Sequence, residues 1–466
     1  MSNEDKKHLG IVICGHVDAG KSTTTGHLLF ELGGINDREI TKLKAEAESL
    51  GKGSFAFAFY MDTCKEERAR GVTIQCRTKE FFTDNYHYSI IDAPGHRDFI
   101  KNMISGASQA DVALLMVPAN KGGFEVSIAK GNHKKNQVQG QTRQHARLIN
   151  LLGIEQVIVG INKMDSSSVK YSEDRYNEIK TEVKKMLDKI GFKTKKIPFI
   201  PMSGFLGENL TRKSDKMPWY KGFKVTIKKK EIRGFTLLDA LNKVVKQPKR
   251  HPDKQFRMPV SGILKIKGVG DVVTGRIEQG TLKKGSEIGF APSNVSGCKV
   301  FSIEMHHRCY EQVFPGANVG VCVKGLKSEN MPKSGDIMYI TSEPDKPDVV
   351  EEFIVTAFCQ DHPGQLKCTD ANGRGGWCPS VHVRTAKAPC QLVKILWKCG
   401  KSTNNAKVEN PLFIEAGDQC ECVFKPKMAF CVDTYKNCKG LGRVAMMDSN
   451  SLVMLGMVKE VKYKDS

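Results

Sequence analysis

The chain has 466 residues, with 72 lysines and arginines against 51 aspartates and glutamates, for a formal net charge of +21. That length predicts about three domains. The basic excess excludes a surface built for cationic partners and favours polyanions, nucleic acid above all, although it would also serve solubility alone. Residues 1–7 are polar, no apolar run exceeds strand length and no lipidation motif is present, so the expectation is a cytoplasmic protein without membrane contacts.

The first element is the run Leu9-Gly10-Ile11-Val12-Ile13-Cys14, which reads as a buried strand and leads into Gly15-His16-Val17-Asp18-Ala19-Gly20-Lys21-Ser22. Residues 22–32 read as a helix stopped at Gly33-Gly34. Strand, glycine loop and helix in this order make a nucleoside-triphosphate cradle. The backbone can approach closely and turn its N–H groups inward, Lys21 reaches the β and γ oxygens, and the Ser22 hydroxyl suits Mg²⁺, with Thr23 next in the loop. A second strand, Tyr88-Ser89-Ile90-Ile91, precedes Asp92-Ala93-Pro94-Gly95, where the carboxylate can hold the Mg²⁺ shell through water and the Gly95 N–H can meet the γ-phosphate.

A third strand, at 156–161, precedes Asn162-Lys163-Met164-Asp165. Asp165 can accept from guanine N1–H and N2–H₂, Asn162 faces N7 and O6, and the Lys163 stem lies along the ring; adenine offers Asp165 neither donor. Residues 197–201 then lead into Met202-Ser203-Gly204, where a backbone N–H suits guanine O6. Asp-x-x-Gly alone describes many plain turns, and Met202-Ser203-Gly204 convinces only by its position. Four segments in this order, each after a predicted strand, specify a site for GTP and GDP with Mg²⁺. Ser22 and Thr73 are the predicted direct metal ligands, and Lys21 neutralises phosphate charge. Thr73 sits in a charged, Gly-containing segment expected to order only when a γ-phosphate is present, which makes an order-to-disorder switch.

Periodicity divides the chain. Up to about Gln247 strands alternate with helices, as at 176–192, where Ile179, Val183, Met186, Leu187 and Ile190 share one helical face. Residues 1–247 are therefore expected to form a parallel α/β domain. From Pro248 the helical period vanishes, and short alternating runs such as 263–266 and 271–277 imply barrels or sandwiches. The linker Ser342-Glu343-Pro344-Asp345-Lys346-Pro347 divides this region into 248–343 and 344–466, each the size of a small barrel. The fifteen cysteines are irregularly spaced, and Cys14, Cys322 and Cys359 fall inside apolar runs, so they read as reduced, mostly buried thiols. Cys420-x-Cys422 with Cys431 and Cys438 lacks the paired knuckles of a zinc site, and its alternation reads better as a strand.

Three longer motifs carry a resemblance: Gly15 to Ser22 extended by Thr23-Thr24-Thr25; Met61-Asp62 followed by Glu66-Glu67-Arg68 and Gly71-Val72-Thr73-Ile74; and Asp92-Ala93-Pro94-Gly95-His96. On these the chain resembles the translational GTPases over nearly its whole length, and within them the eukaryotic elongation factor 1-alpha and elongation factor-like branch. Small signalling GTPases lack the last two motifs. The resemblance implies a multidomain fold, an N-terminal α/β P-loop GTPase domain followed by two β-barrel domains. It implies delivery of aminoacyl-tRNA to the ribosomal A site and GTP hydrolysis on codon recognition. His96 would position the attacking water once the ribosome orders it, alongside Lys21 and Thr73, and Val17 with Val72 would form an apolar gate.

The segment Gly268 to Arg276 matches a barrel motif of that family, and Glu304-Met305-His306 with Asn318 matches the region lining its terminal adenosine and aminoacyl pocket. Val272, Glu304 and Asn318 carry over as tRNA contacts, and so does Arg384, in the domain expected to hold tRNA and exchange-factor surfaces. The implied partners are aminoacyl-tRNA and the ribosome, with an exchange factor and actin in addition, for a chain acting as a monomer. Two departures favour the elongation factor-like branch: a basic insertion at 131–138, and Arg384-Thr385 where elongation factor 1-alpha usually has His-Thr. The cradle begins close to Met1, which speaks against termination and rescue relatives with long N-terminal extensions. Two other classes stay open. A regulatory subunit of a sulfate-activating enzyme shares the first domain and one barrel, but the basic excess and the match of Glu304 and Asn318 argue against it. A cytoskeletal module needs only basic charge, and no motif identifies its surface.

Overall fold

A computed structural model describes residues 6–62, 64–70, 73, 77–96, 99–130, 139–306, 308–327, 329–360, 362, 364–400, 403–448 and 451–464. It divides into two compact units, Met1–Pro248 and Lys249–Ser466. The first contains, in chain order, β1 (Lys7–Gly15), α1 (Lys21–Glu31), α2 (Asp37–Ser49), α3 (Ala58–Met61), α4 (Lys65–Arg70), β2 (Arg77–Phe82), β3 (Tyr86–Asp92), α5 (Ile100–Ala107), β4 (Val112–Pro118), α6 (Gly123–Ile128), α7 (Gln141–Leu151), β5 (Gln156–Asn162), α8 (Glu173–Ile190) and β6 (Phe199–Pro201).

These strands form one sheet in the order β2-β3-β1-β4-β5-β6. The pairs from β3 to β6 are parallel. The expected all-parallel sheet is corrected at one edge, since β2 runs antiparallel to β3. The physical reason is the connection: residues 83–85 are too few for a crossover, and a short link between adjacent strands forces a hairpin. β1 is buried at Leu9, Ile11, Val12, Ile13 and Cys14, the uniform apolar run that a strand covered on both faces requires.

The helices follow their sequence signals. After α1 the Gly33 N–H reaches the Phe30 carbonyl and the Gly34 N–H the Leu29 carbonyl, at 3.0 and 2.8 Å, with Gly33 at φ +76°. α8 starts three residues before the predicted helix because the Ser172 hydroxyl accepts from the Arg175 N–H at 3.3 Å and caps it. It buries Tyr176, Ile179, Val183, Met186 and Leu187, the predicted face apart from the half-buried Ile190. No helix among the described residues is long and apolar enough to cross a membrane.

The second unit is all β. Strands Glu287–Ala291, Ile337–Ile340, Met258–Ile266, Gly270–Arg276, Asn318–Lys324 and Val295–Met305 pair in that order, and the first pairs again with the last, closing a barrel. Strands Ser380–Val383, Arg443–Asp448, Ser451–Tyr463, Val350–Cys359, Gln419–Pro426 and Ala386–Cys399 close a second one in the same way. Closure removes the unpaired edges on which such sheets would otherwise aggregate. Each barrel has its own apolar filling, Phe256, Val273 and Phe290 in the first and Phe353, Leu392 and Phe424 in the second. Cys420 and Cys422 lie on one strand and both are buried in the second core.

Candidate functional site

The carboxyl ends of β1, β3 and β5 carry the predicted loops, as expected of an open α/β sheet that binds ligands beyond its strand ends. Residues 15–20 turn from β1 into α1. Gly20 is left-handed at φ +83°, and a Cβ there would strike the Asn162 amide, so only glycine lets the loop approach β5 so closely. Val17, Asp18, Gly20, Lys21, Ser22 and Thr23 line a cleft together with Phe55, Asp62, Thr73, Gly95 and His96. Lys21 is buried, with Nζ donating to the His16 carbonyl at 2.8 Å and the Gly15 carbonyl at 3.3 Å. Burial lowers its pKa, and the Asp92 charge opposes that shift.

Four oxygen-bearing side chains meet beside it. The Ser22 and Thr73 hydroxyls are 3.1 Å apart, and Thr73 Oγ1 donates to Asp62 Oδ1 at 3.0 Å. Asp92 is wholly buried, and among the described residues neither of its carboxylate oxygens has a hydrogen-bond partner of good geometry. Burial pushes the Asp92 carboxyl up to about 6, with Ser22 and Lys21 pulling it part of the way back. Burial, then the charge of Asp92, pushes Asp62 up to about 7. An orphaned buried carboxylate next to a second carboxylate and two hydroxyls is a set of hard oxygen donors short of positive charge, and Mg²⁺ fits it.

At the other end of the cradle, Asn162 does more than the sequence assigned to it. Its Nδ2 donates to the Ala19 carbonyl and its Oδ1 accepts from the Gly204 N–H, both at 2.8 Å, so its amide ties the phosphate loop to the Ser203-Gly204 loop. The Ser203 N–H is engaged with the Glu208 carbonyl at 3.2 Å. Lys163 sits at φ +66°, a conformation rare outside glycine and concentrated at functional sites. Asp165 follows it, half-buried. The Gly71 to Ile74 switch segment apart from Thr73, with Val72 in it, and the 131–138 insertion lie outside the described residues.

Sequence reasoning missed three side chains here. Asp62 was visible only as a neighbour of Met61 in one of the longer motifs. Gln141 and His145, on α7, have no local signal at all: Gln141 Oε1 accepts from the Val17 N–H at 3.2 Å and His145 Nδ1 accepts from the Gly15 N–H at 3.1 Å. Burial pushes His145 down to about 3, with the positive charges of Lys21 and His16 adding to the effect. The unfolded chain protonates this residue near pH 6.5 while the folded chain does not, so stability is full above pH 6.5 and falls as the pH drops toward 3. The loss amounts to about 2 kcal/mol between pH 7 and pH 5. His145→Asn, which keeps an acceptor but does not titrate, should lose that much less stability over this interval. Urea midpoints of both proteins at the two pH values check it, and equal pH dependence would clear His145.

The remaining predicted residues belong to the second unit. Val272 and Asn318 lie on adjacent strands of the first barrel, where Asn318 pairs with Arg276 and Val272 with Cys322; Glu304, one strand further, pairs with Gly320. The Asn318 amide is buried, and among the described residues neither its Oδ1 nor its Nδ2 is hydrogen-bonded. Arg384 is in the turn before Ala386–Cys399 at φ +53°, its Nη2 paired at 2.8 Å with Glu278, whose side chain is only 9% exposed. The sequence offered no sign of this partner.

Three stretches match family models: residues 6–247 the elongation factor Tu GTP binding domain, 270–339 elongation factor Tu domain 2, and 369–459 the GTP-eEF1A C-terminal domain-like family. The chain is 42% identical over 463 residues to elongation factor 1-alpha of Plasmodium falciparum, covering 99% of this chain and 97% of that one. It is 42% identical over 466 residues to elongation factor 1-alpha of Tetrahymena pyriformis, with both chains covered in full. The GTP-bound Ski7 GTPase-like domain of S. cerevisiae has the same fold, with a TM-score of 0.75, 17% identity and 97% of each chain covered. So does translation elongation factor SelB of Methanococcus maripaludis, with a TM-score of 0.63, 20% identity, and 99% of this chain and 80% of that one covered. The motifs, the cleft they line and these matches agree: the chain belongs to the elongation factor 1-alpha family of translational GTPases.

Proposed function

We propose that the chain binds GTP with Mg²⁺, carries aminoacyl-tRNA to the ribosomal A site, and hydrolyses GTP on codon recognition, acting as a cytoplasmic monomer. Residues 1–247 bind the nucleotide, 248–343 receive the aminoacylated 3′ end, and 344–466 offer further tRNA and exchange-factor surface. The observation that supports RNA binding most directly is Asn318. A buried amide left unpaired costs roughly 1–3 kcal/mol, and a splayed nucleotide with its 2′-OH supplies the donors and acceptors that satisfy it. Val272 and Glu304 lie on the two strands that pair with that of Asn318, opposite Cys322 and Gly320. Arg384, held by Glu278, braces the two barrels in this reading.

In the nucleotide site, Lys21 moves from loop carbonyls to phosphate oxygens, trading neutral acceptors for anionic ones. Ser22 and Thr73 supply hydroxyl ligands to Mg²⁺, with Asp92 acting through water and Asp62 holding Thr73 in place. The metal, when bound, neutralises charge that builds on the phosphates during transfer. Loss of the γ-phosphate releases Thr73. His96, at the lip of the cleft, orients the attacking water.

Filter binding of charged and uncharged tRNA, in GTP and in GDP, tests the proposal. An aminoacyl-tRNA carrier retains RNA only when GTP and the aminoacyl group are both present; a sulfate-activating subunit or a cytoskeletal module shows no such double requirement. Retention should weaken steeply with salt, each lysine or arginine contact to phosphate adding roughly 0.7–0.9 to the logarithmic slope. A slope near zero removes nucleic acid as the main partner.

A further inference from the structure

One side chain of α1 meets both the Ser203-Gly204 loop and the segment that leads to Asp62. Thr24, His27 and Glu31 are three and four residues apart on the helix and so share a face. On that face the Ser203-Gly204 loop packs tightly, for a Cβ on Gly204 would overlap the Thr24 hydroxyl. His27 Nδ1 lies 2.9 Å from the Gly204 carbonyl oxygen. A carbonyl only accepts, so Nδ1 carries the proton, while Nε2 lies 3.8 Å from Glu31. Glu31 accepts from Thr211 Oγ1 at 2.8 Å, which ties the same helix to the loop further along.

The His27 ring also stacks flat on Phe57, with centroids 4.2 Å apart and planes 7° from parallel. Gly26, next to it, lets the Phe57 carbonyl press on the helix, since a Cβ at Gly26 would overlap that oxygen. The His27 side chain is only 12% exposed, so water does not compete for either contact. Phe57 immediately precedes the single turn of α3, which ends at Met61 beside Asp62, the carboxylate that holds Thr73.

We propose that His27 is a positioning residue that couples guanine recognition to the Asp62 segment, so that seating the base helps to hold Asp62, and through it Thr73, at the phosphate end. The proposal rests on the reading of Ser203-Gly204 as the loop that meets the base. It adds a link between the two halves that no nucleotide contact supplies. His27 touches neither base nor phosphate in this scheme; it acts through Gly204 and Phe57.

Hydrogen exchange of the full chain with and without GDP, in EDTA so that no metal joins Asp62 to phosphate, tests the link. In the unmodified protein GDP should slow exchange at 203–207 and at 57–62. His27→Asn keeps a donor near Gly204 but lacks a ring for Phe57; His27→Phe keeps the stack but lacks the donor. In either variant GDP should still slow exchange at 15–24 yet leave 57–62 unchanged, and fluorescent GDP should leave about tenfold faster, the scale of one lost contact. Phe57→Leu leaves His27 and its bond to Gly204 in place and should abolish the response at 57–62 as well, which keeps the test available if a His27 variant does not fold. A full GDP response at 57–62 in the variants overturns the coupling. No response at 203–207 in the unmodified protein overturns instead the reading of the base loop.

Discussion

Asp165→Asn should weaken GTP binding more than about a hundredfold, because it removes two charge-assisted hydrogen bonds to guanine and turns an amide N–H₂ toward the guanine donors, a combined loss of roughly 3 kcal/mol or more. The geometry confines the effect to the base. The bonds that hold the loops together belong to Asn162, which ties Ala19 to Gly204. Xanthine presents a carbonyl where guanine has its amino group, so the same variant should accept xanthosine triphosphate. Titration with both nucleotides decides the matter, and a variant that still prefers GTP would place the base pocket elsewhere.

His96→Ala should leave GTP and aminoacyl-tRNA binding nearly intact while slowing ribosome-stimulated hydrolysis by at least about a hundredfold, the scale of a positioned catalytic group. His96 lines the cleft whose hydroxyl and carboxylate cluster is made by Ser22, Asp62, Thr73 and Asp92. Its ring is 5.9 Å from that of Phe99, tilted rather than stacked. Single-turnover hydrolysis on programmed ribosomes is the measurement. A normal rate in the variant would assign His96 a structural role.

The two variants probe different steps and should behave independently. Asp165→Asn acts on binding before the ribosome is met. His96→Ala acts on a rate after it. A protein carrying both changes should therefore bind xanthosine triphosphate and still hydrolyse it slowly, the additive outcome expected of sites that do not share a partner.

Guanine-nucleotide binding and the class of each unit could be read from the residues in order. Phosphate cradling, metal ligation and base selection depend on residue types at fixed short spacings, as in Gly15 to Ser22 or Asn162 to Asp165, and such spacings survive in a one-dimensional string. Strand and helix periods are equally local, so the change at Pro248 from alternating helices to short strands was legible, and so was the buried face of α8. Folding alone brings together side chains that are far apart along the chain. Asp62 and Thr73 come to Ser22 from a segment some forty to fifty residues away, and Gln141 and His145 support the phosphate loop from more than 120 residues away. Arg384 finds Glu278, and Asn162 ties two loops together. No local pattern encodes these meetings, because they follow from the order in which six strands lie side by side and from the closure of two barrels. That order is set by the burial of whole strand faces, which many sequences satisfy alike, and so it becomes visible only once the chain is folded.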